Sequence, residues 1–154
     1  MIIIKAQSAL EYLMIIALTL AILVPTVYLF FRASSESSVK IVDTQINQIG
    51  KEIIDTAETV YFSGKDSRII LELNMPENVE DIYILANREL VFKMTSDIGE
   101  TEAVFFSSTG IPLYSNDCTG EKCELKDIAS YGLTKVKIES INTGDRVLIS
   151  KFEG

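Results

Sequence analysis

The apolar and polar positions of this chain fall into three successive regimes. From Tyr12 to Phe31 there is no charged residue. An apolar run of roughly 20 residues matches the ~30 Å hydrocarbon core of a bilayer, so it predicts a membrane-spanning helix. Pro25 lies deep in the run, where it removes one helix hydrogen bond and predicts a bend. Membrane helices tolerate such kinks, and Thr26 is placed to satisfy a carbonyl that the proline frees. Beyond Arg32 comes the polar stretch Ala33-Ser34-Ser35-Glu36-Ser37-Ser38, which reads either as a flexible linker or as more helix.

In the second regime apolar residues return at Val39, Val42, Ile46, Ile49, Ile53, Ala57 and Val60, with spacings of three or four. That is one stripe along a helix. The opposite face carries Lys40, Asp43, Gln45, Asn47, Lys51, Glu52 and Asp55. The stripe fits either a coiled coil or packing against the C-terminal part of the chain, and packing is the expectation. Together the two segments predict about 55 helical residues, roughly 80 Å at 1.5 Å per residue. Ser63-Gly64-Lys65-Asp66 is the predicted stop.

The third regime has period two and is rich in β-formers. Arg68–Asn74 reads as a strand that stops at Pro76, and Asp81–Asn87 and Glu89–Thr95 read as a hairpin around Asn87-Arg88. Glu102–Ser107 is a fourth strand, ended by Thr109-Gly110 and Pro112. Leu133–Ile141 and Arg146–Phe152 flank the hairpin turn Asn142-Thr143-Gly144-Asp145. About six strands in about 90 residues predict an antiparallel sheet or a small sandwich packed on the amphipathic helix, an α+β fold.

Composition sharpens this picture. The formal net charge is −8 and lies mostly beyond the apolar run, which disfavours nucleic acid and anionic lipid as ligands. Histidine is absent from the sequence, and with it the commonest general base and metal ligand. There is no Gly-rich phosphate loop and no nucleophile elbow, and the carboxylates are scattered. No enzyme activity, catalytic residue, cofactor or metal is expected. No Asn-x-Ser/Thr sequon occurs, so standard N-glycosylation is not expected either.

The two cysteines, Cys118 and Cys123, are separated by Thr119-Gly120-Glu121-Lys122. A zinc site usually needs about four Cys or His ligands, more than this chain offers. A disulfide closing the short loop is the expected state and points to an oxidising exterior; it would contribute roughly 2 kcal/mol. Two free thiols in a cytosolic protein, or an intracellular disulfide in a heat-loving organism, are the alternatives.

Lys5 and the amino terminus place positive charge ahead of the apolar run, which orients that end to the cytoplasm and the acidic bulk outside. An ordinary secretory signal has a shorter apolar core followed by a small-residue cleavage site. Here Leu29-Phe30-Phe31-Arg32 closes the run, and Ala33-Ser34-Ser35 comes just beyond. Removal of the whole segment is therefore the weaker reading.

The string Lys5-Ala6-Gln7-Ser8-Ala9-Leu10-Glu11-Tyr12-Leu13, followed directly by the apolar helix, resembles the class III signal peptide of archaeal type IV pilin-like proteins. The specific likeness covers about the first 30 residues. Ala6 stands where many members have glycine, and Ala9 where some have serine. The resemblance implies that a prepilin peptidase cuts between Ala6 and Gln7, so that the apolar helix is kept and Gln7 becomes the first residue. Glu11 then falls where the family keeps its glutamate, and the implied role is pairing with the Gln7 amine of a neighbouring subunit. The bland alternative is a carboxylate resting among lipid headgroups.

The resemblance further implies a leader over 1–6, a transmembrane and filament-core helix over 7–32, an amphipathic helix over 33–63 and an exterior β-rich domain over 64–154. Implied partners are identical or related pilin subunits, the prepilin peptidase, and an assembly ATPase with its membrane platform. The precursor would sit in the membrane and the assembled subunit in a filament at the cell surface, with adhesion among the possible roles. Two other readings use the same parts: a minor pilin, and a monomeric membrane-anchored exterior binding domain.

Overall fold

Helix α1 runs Ile2–Ser63. The computed structural model describes residues 2–96, 99–141 and 145–152, and the chain divides into two compact units, Met1–Lys40 and Ile41–Gly154. In the first unit, Leu10–Ser34 is a 25-residue stretch of mean hydropathy 2.5, long and apolar enough to cross a membrane. A segment of this kind can serve as a span or as a signal. The backbone stays helical through Pro25. The Thr26 hydroxyl donates to the Ile22 carbonyl at 2.7 Å. The carbonyl that Pro25 leaves without a donor is that of Ala21, one residue earlier, so Thr26 does not fill the gap expected of it. The serine-rich stretch 33–38 is helical. Flanked by helix it needs no new nucleation, and serine is only about 0.5 kcal/mol per residue poorer than alanine.

In the second unit the predicted stripe is the packed face of α1. Ile46, Ile49, Ile53, Ala57 and Val60 are buried, and Val42 packs against them half-buried. The side chain of Val39, first in the expected stripe, lies outside the described residues. Ile54 is buried as well, which widens the apolar face beyond a coiled-coil seam. Each isoleucine withdrawn from water contributes about 1.5–3 kcal/mol. Gly64, with φ +86°, ends the helix in the left-handed region.

Nine strands follow among the described residues: β1 Arg68–Met75, β2 Val79–Leu85, β3 Glu89–Ser96, β4 Gly99–Phe106, β5 Leu113–Tyr114, β6 Asp117–Thr119, β7 Lys122–Glu124, β8 Gly132–Ile141 and β9 Arg146–Lys151. They form a four-stranded sheet of order β1-β8-β9-β5 and a five-stranded sheet of order β4-β3-β2-β7-β6. Both sheets turn one face to a common core with α1, so the α+β expectation holds. The six expected strands are all present, with shifted ends.

Three features differ from the sequence reading. The β2–β3 turn centres on Ala86 and Asn87, with φ of 49° and 59°, one residue before the expected Asn87-Arg88. Strands β5, β6 and β7 are too short to show a period. One pairing among the described residues, β5 with β9, is parallel; the Val147 amide donates to the Pro112 carbonyl beside it, and the Leu113 amide ties β5 to the Asn87 carbonyl of the β2–β3 turn. Strands β8 and β9 pair from Ile141↔Arg146 inward, while Asn142, Thr143 and Gly144 of the expected turn lie outside the described residues.

Gly50 packs α1 closely against the strands. A Cβ there would lie 2.4 Å from the Phe105 ring of β4. Gly50→Ala would gain about 1 kcal/mol of helix propensity, but overpacking costs about 1–3 kcal/mol. The expected outcome is a net loss of about 1 kcal/mol, read as a lower midpoint in thermal unfolding followed by circular dichroism.

Candidate functional site

The residues singled out at the amino-terminal end all lie on α1. Ala6 and Gln7 are on helical backbone, and Glu11 is four residues beyond Gln7. Glu11 is exposed, and its helical spacing puts it on one face with Met14, Ile15 and Leu18, which are themselves exposed at 71%, 63% and 66%. A carboxylate thus borders the apolar stretch, ahead of its first uncharged turns. A single helix in water leaves such a surface uncovered at about 25 cal/mol per Å², so a membrane or another apolar surface must cover it. A carboxylate carried toward hydrocarbon costs about 2.5–3.5 kcal/mol at the bilayer centre and less at the interface, which favours an opposite charge beside Glu11.

The cysteines lie elsewhere, in the second unit. Cys118 and Cys123 form a disulfide and are a cross-strand pair of the β6–β7 hairpin. Cys123 is buried in the core, while Cys118 is exposed. The bond therefore fastens an outer hairpin to the core, and β7 in turn pairs with β2 through Ile84↔Cys123. Beside it, Lys122 reaches Asp81 and Glu124, each at 3.4 Å, and lies 4.3 Å from the Tyr83 ring centre. The Lys126 ammonium, 2.5 Å from Glu124, holds the Glu124 carboxyl below the usual carboxylate range. Burial, then the hydrogen bond to Glu102, pushes the Tyr83 phenol up.

A third cluster was not legible in the sequence. Glu58 of α1 accepts hydrogen bonds from Ser107, from Ser108 at 3.3 Å and from Thr109 at 3.3 Å. These hydroxyls follow β4 and are some fifty residues away in sequence, so only the folded chain brings them to Glu58. The Ser107 hydroxyl chiefly holds the Glu58 carboxyl below its ordinary value, against the opposing effect of burial. A depressed carboxyl stabilises the fold above the unfolded-state pKa and loses that contribution as pH falls through the folded one. Glu58→Ala should cost about 1–2 kcal/mol at neutral pH and narrow the gap from wild type under acid conditions. Urea unfolding at neutral and at acid pH checks both.

Among the described residues, no group of three or more His, Cys, Asp or Glu side chains is arranged to hold a metal ion. Comparison of the chain with protein-family models, with curated proteins and with solved structures found no match. An amino-terminal apolar helix followed by a disulfide-bearing β domain is compatible with a pilin-like architecture.

Proposed function

We propose that this protein is a structural subunit of an archaeal type IV pilus-like surface filament. The observation that carries the proposal is the exposed Glu11 near the start of a 25-residue apolar stretch of helix, preceded by the Lys5-Ala6-Gln7 string. A cut between Ala6 and Gln7 discards a short charged leader and keeps the helix. The product stays in the membrane until neighbouring helices replace lipid around it. The Gln7 amine of one subunit and Glu11 of the next offset each other's charge as the helices enter a bundle. In this reading the β domains coat the filament, and the chain needs no catalytic residue. Its partners are other pilin subunits, a prepilin peptidase, and an assembly ATPase with its membrane platform.

The test uses protein from its own organism. Intact mass should give a chain beginning at Gln7, and electron microscopy of sheared cell-surface material should show filaments that contain it. A chain retaining Met1, or one beginning beyond Phe31, would refute the processing step. A Gln7 terminus without filaments would leave a monomeric anchored exterior domain in its place.

A further inference from the structure

The outward faces of the two sheets carry opposite excess charge. On the four-stranded sheet, Lys135 bridges Glu72 at 2.9 Å and Lys137 bridges Glu139 at 2.8 Å. Those pairs cancel locally. Arg68 and Arg146 remain, outward by the alternation that buries Leu73, Met75, Val147 and Ile149. Neither arginine makes an ion pair among the described residues, and Arg146 lies 4.9 Å from the Tyr114 ring centre. Register places both at one end of the sheet, through Arg68↔Glu139, Glu139↔Leu148 and Ile141↔Arg146. On a grid of about 4.8 Å between strands and about 3.4 Å per residue, they stand about 12 Å apart.

The five-stranded sheet shows the reverse. Lys93 bridges Glu100 at 2.9 Å and Glu80 at 3.8 Å, so that ammonium faces two carboxylates, while Lys122 reaches Asp81 and Glu124 and Lys126 also pairs with Glu124. Glu89 makes no ion pair among the described residues, and Glu102 accepts the Tyr83 hydroxyl at 3.0 Å and stands across from Lys93, whose ammonium is already bridged to two other carboxylates. Register sets Glu89 and Glu102 on adjacent strands through Glu89↔Phe106 and Lys93↔Glu102, about 14 Å apart on the same grid. Beside them Val104 and Phe106 are exposed at 46% and 71%.

We infer that these faces are the two halves of one contact between copies of this chain. Arg68 and Arg146 of one copy meet Glu89 and Glu102 of the next, with Val104 and Phe106 covered by the closure. The inference rests on the filament reading above. The guanidinium fork suits paired carboxylates, and the spacing of the two pairs agrees within a few ångströms on the strand grid. Like charges keep each face from pairing with itself. Because the two surfaces differ, the contact is heterologous: it leaves a free face at each end and repeats instead of closing into a twofold dimer.

Charge reversal tests it in the full chain expressed in its own organism. Arg68→Glu with Arg146→Glu, and separately Glu89→Arg with Glu102→Arg, should each lower the processed subunit in sheared filaments about tenfold. All four substitutions together should restore it to within about threefold of wild type. Wild-type yield from either reversed face, or no recovery in the combined variant, overturns the contact. Carbodiimide coupling of wild-type filaments gives a reading that needs no variant to fold. It should join Glu89 or Glu102 to Lys135 or Lys137, and links confined within one face would overturn the contact as well. A wild-type chain that forms no filaments removes the filament reading and this contact together, whereas wild-type filaments indifferent to both reversals remove the contact alone.

Discussion

Glu11→Ala should leave membrane insertion and processing intact while depleting the subunit from filaments. Insertion survives because the substitution makes the apolar segment more apolar and leaves Lys5, the positive charge ahead of it, in place. Processing survives because Lys5, Ala6 and Gln7 are unchanged. Assembly suffers because the Gln7 amine of the neighbouring subunit would enter a region of low dielectric with no counter-charge, where an unpaired ion costs several kcal/mol. Each 1.4 kcal/mol is a factor of ten, so a loss of about tenfold or more is expected. Glu11→Asp keeps the charge with a shorter reach and should be intermediate. Glu11→Gln separates charge from hydrogen bonding: it should resemble alanine if charge decides and wild type if an acceptor is enough. The measurement is processed subunit in sheared filaments against processed subunit left in the membrane. Wild-type filament yield from Glu11→Ala would remove the proposed pairing.

The largest effect on the fold is expected from Phe92→Ala. Phe92 is fully buried in β3, between Ile82 of β2 and Ala103 of β4. Its ring meets that of Phe105 edge to face, with centroids 5.6 Å apart, and Phe105 is the ring against which Gly50 brings α1. Truncation therefore opens a cavity at the point where the helix and three strands meet. Phe→Ala at such sites costs about 3–5 kcal/mol, a large part of the 5–15 kcal/mol that holds a typical domain together. The chain has no tryptophan, so far-ultraviolet circular dichroism in urea is the suitable probe. Phe106→Ala, on a ring exposed at 71%, should stay within about 0.5 kcal/mol of wild type. Similar losses from both would mean that the Phe92–Phe105 contact is not central to the core.

The same contrast separates what was legible in the sequence from what was not. The apolar run, the stripe from Ile46 to Val60 and the stop at Gly64 follow from local rules. Twenty uncharged residues, a period between three and four, and a residue free to take positive φ need no knowledge of the rest of the chain. Six strands were readable for the same reason, since alternation over six or more residues is a local signal. The disulfide was readable because so short a separation leaves its two cysteines few other partners. Glu11 and the Ala6–Gln7 bond are singled out by a string alone, and the role proposed for them comes from the resemblance.

Tertiary structure decided the rest, wherever a short segment is held by a distant one. Strands β5 to β7 have two or three residues each, too few for any periodicity. They are strands only because β9, β2 and the disulfide hold them. Ala86 takes a positive φ that its own side chain disfavours, while its amide donates to the Glu121 carbonyl at 2.8 Å and fixes the turn one residue early. Glu58 reads as one more charge on a helix until the fold sets three hydroxyls around it. Which face each charged residue of a strand presents follows from alternation, but which charges become neighbours follows from register. Sequence alone therefore determined the long helix, the longer strands and the border between apolar and polar chain. Packing of α1 on the sheets decided the hydroxyl cluster and strand pairing decided the opposed outer faces, because both depend on contacts between residues far apart along the chain.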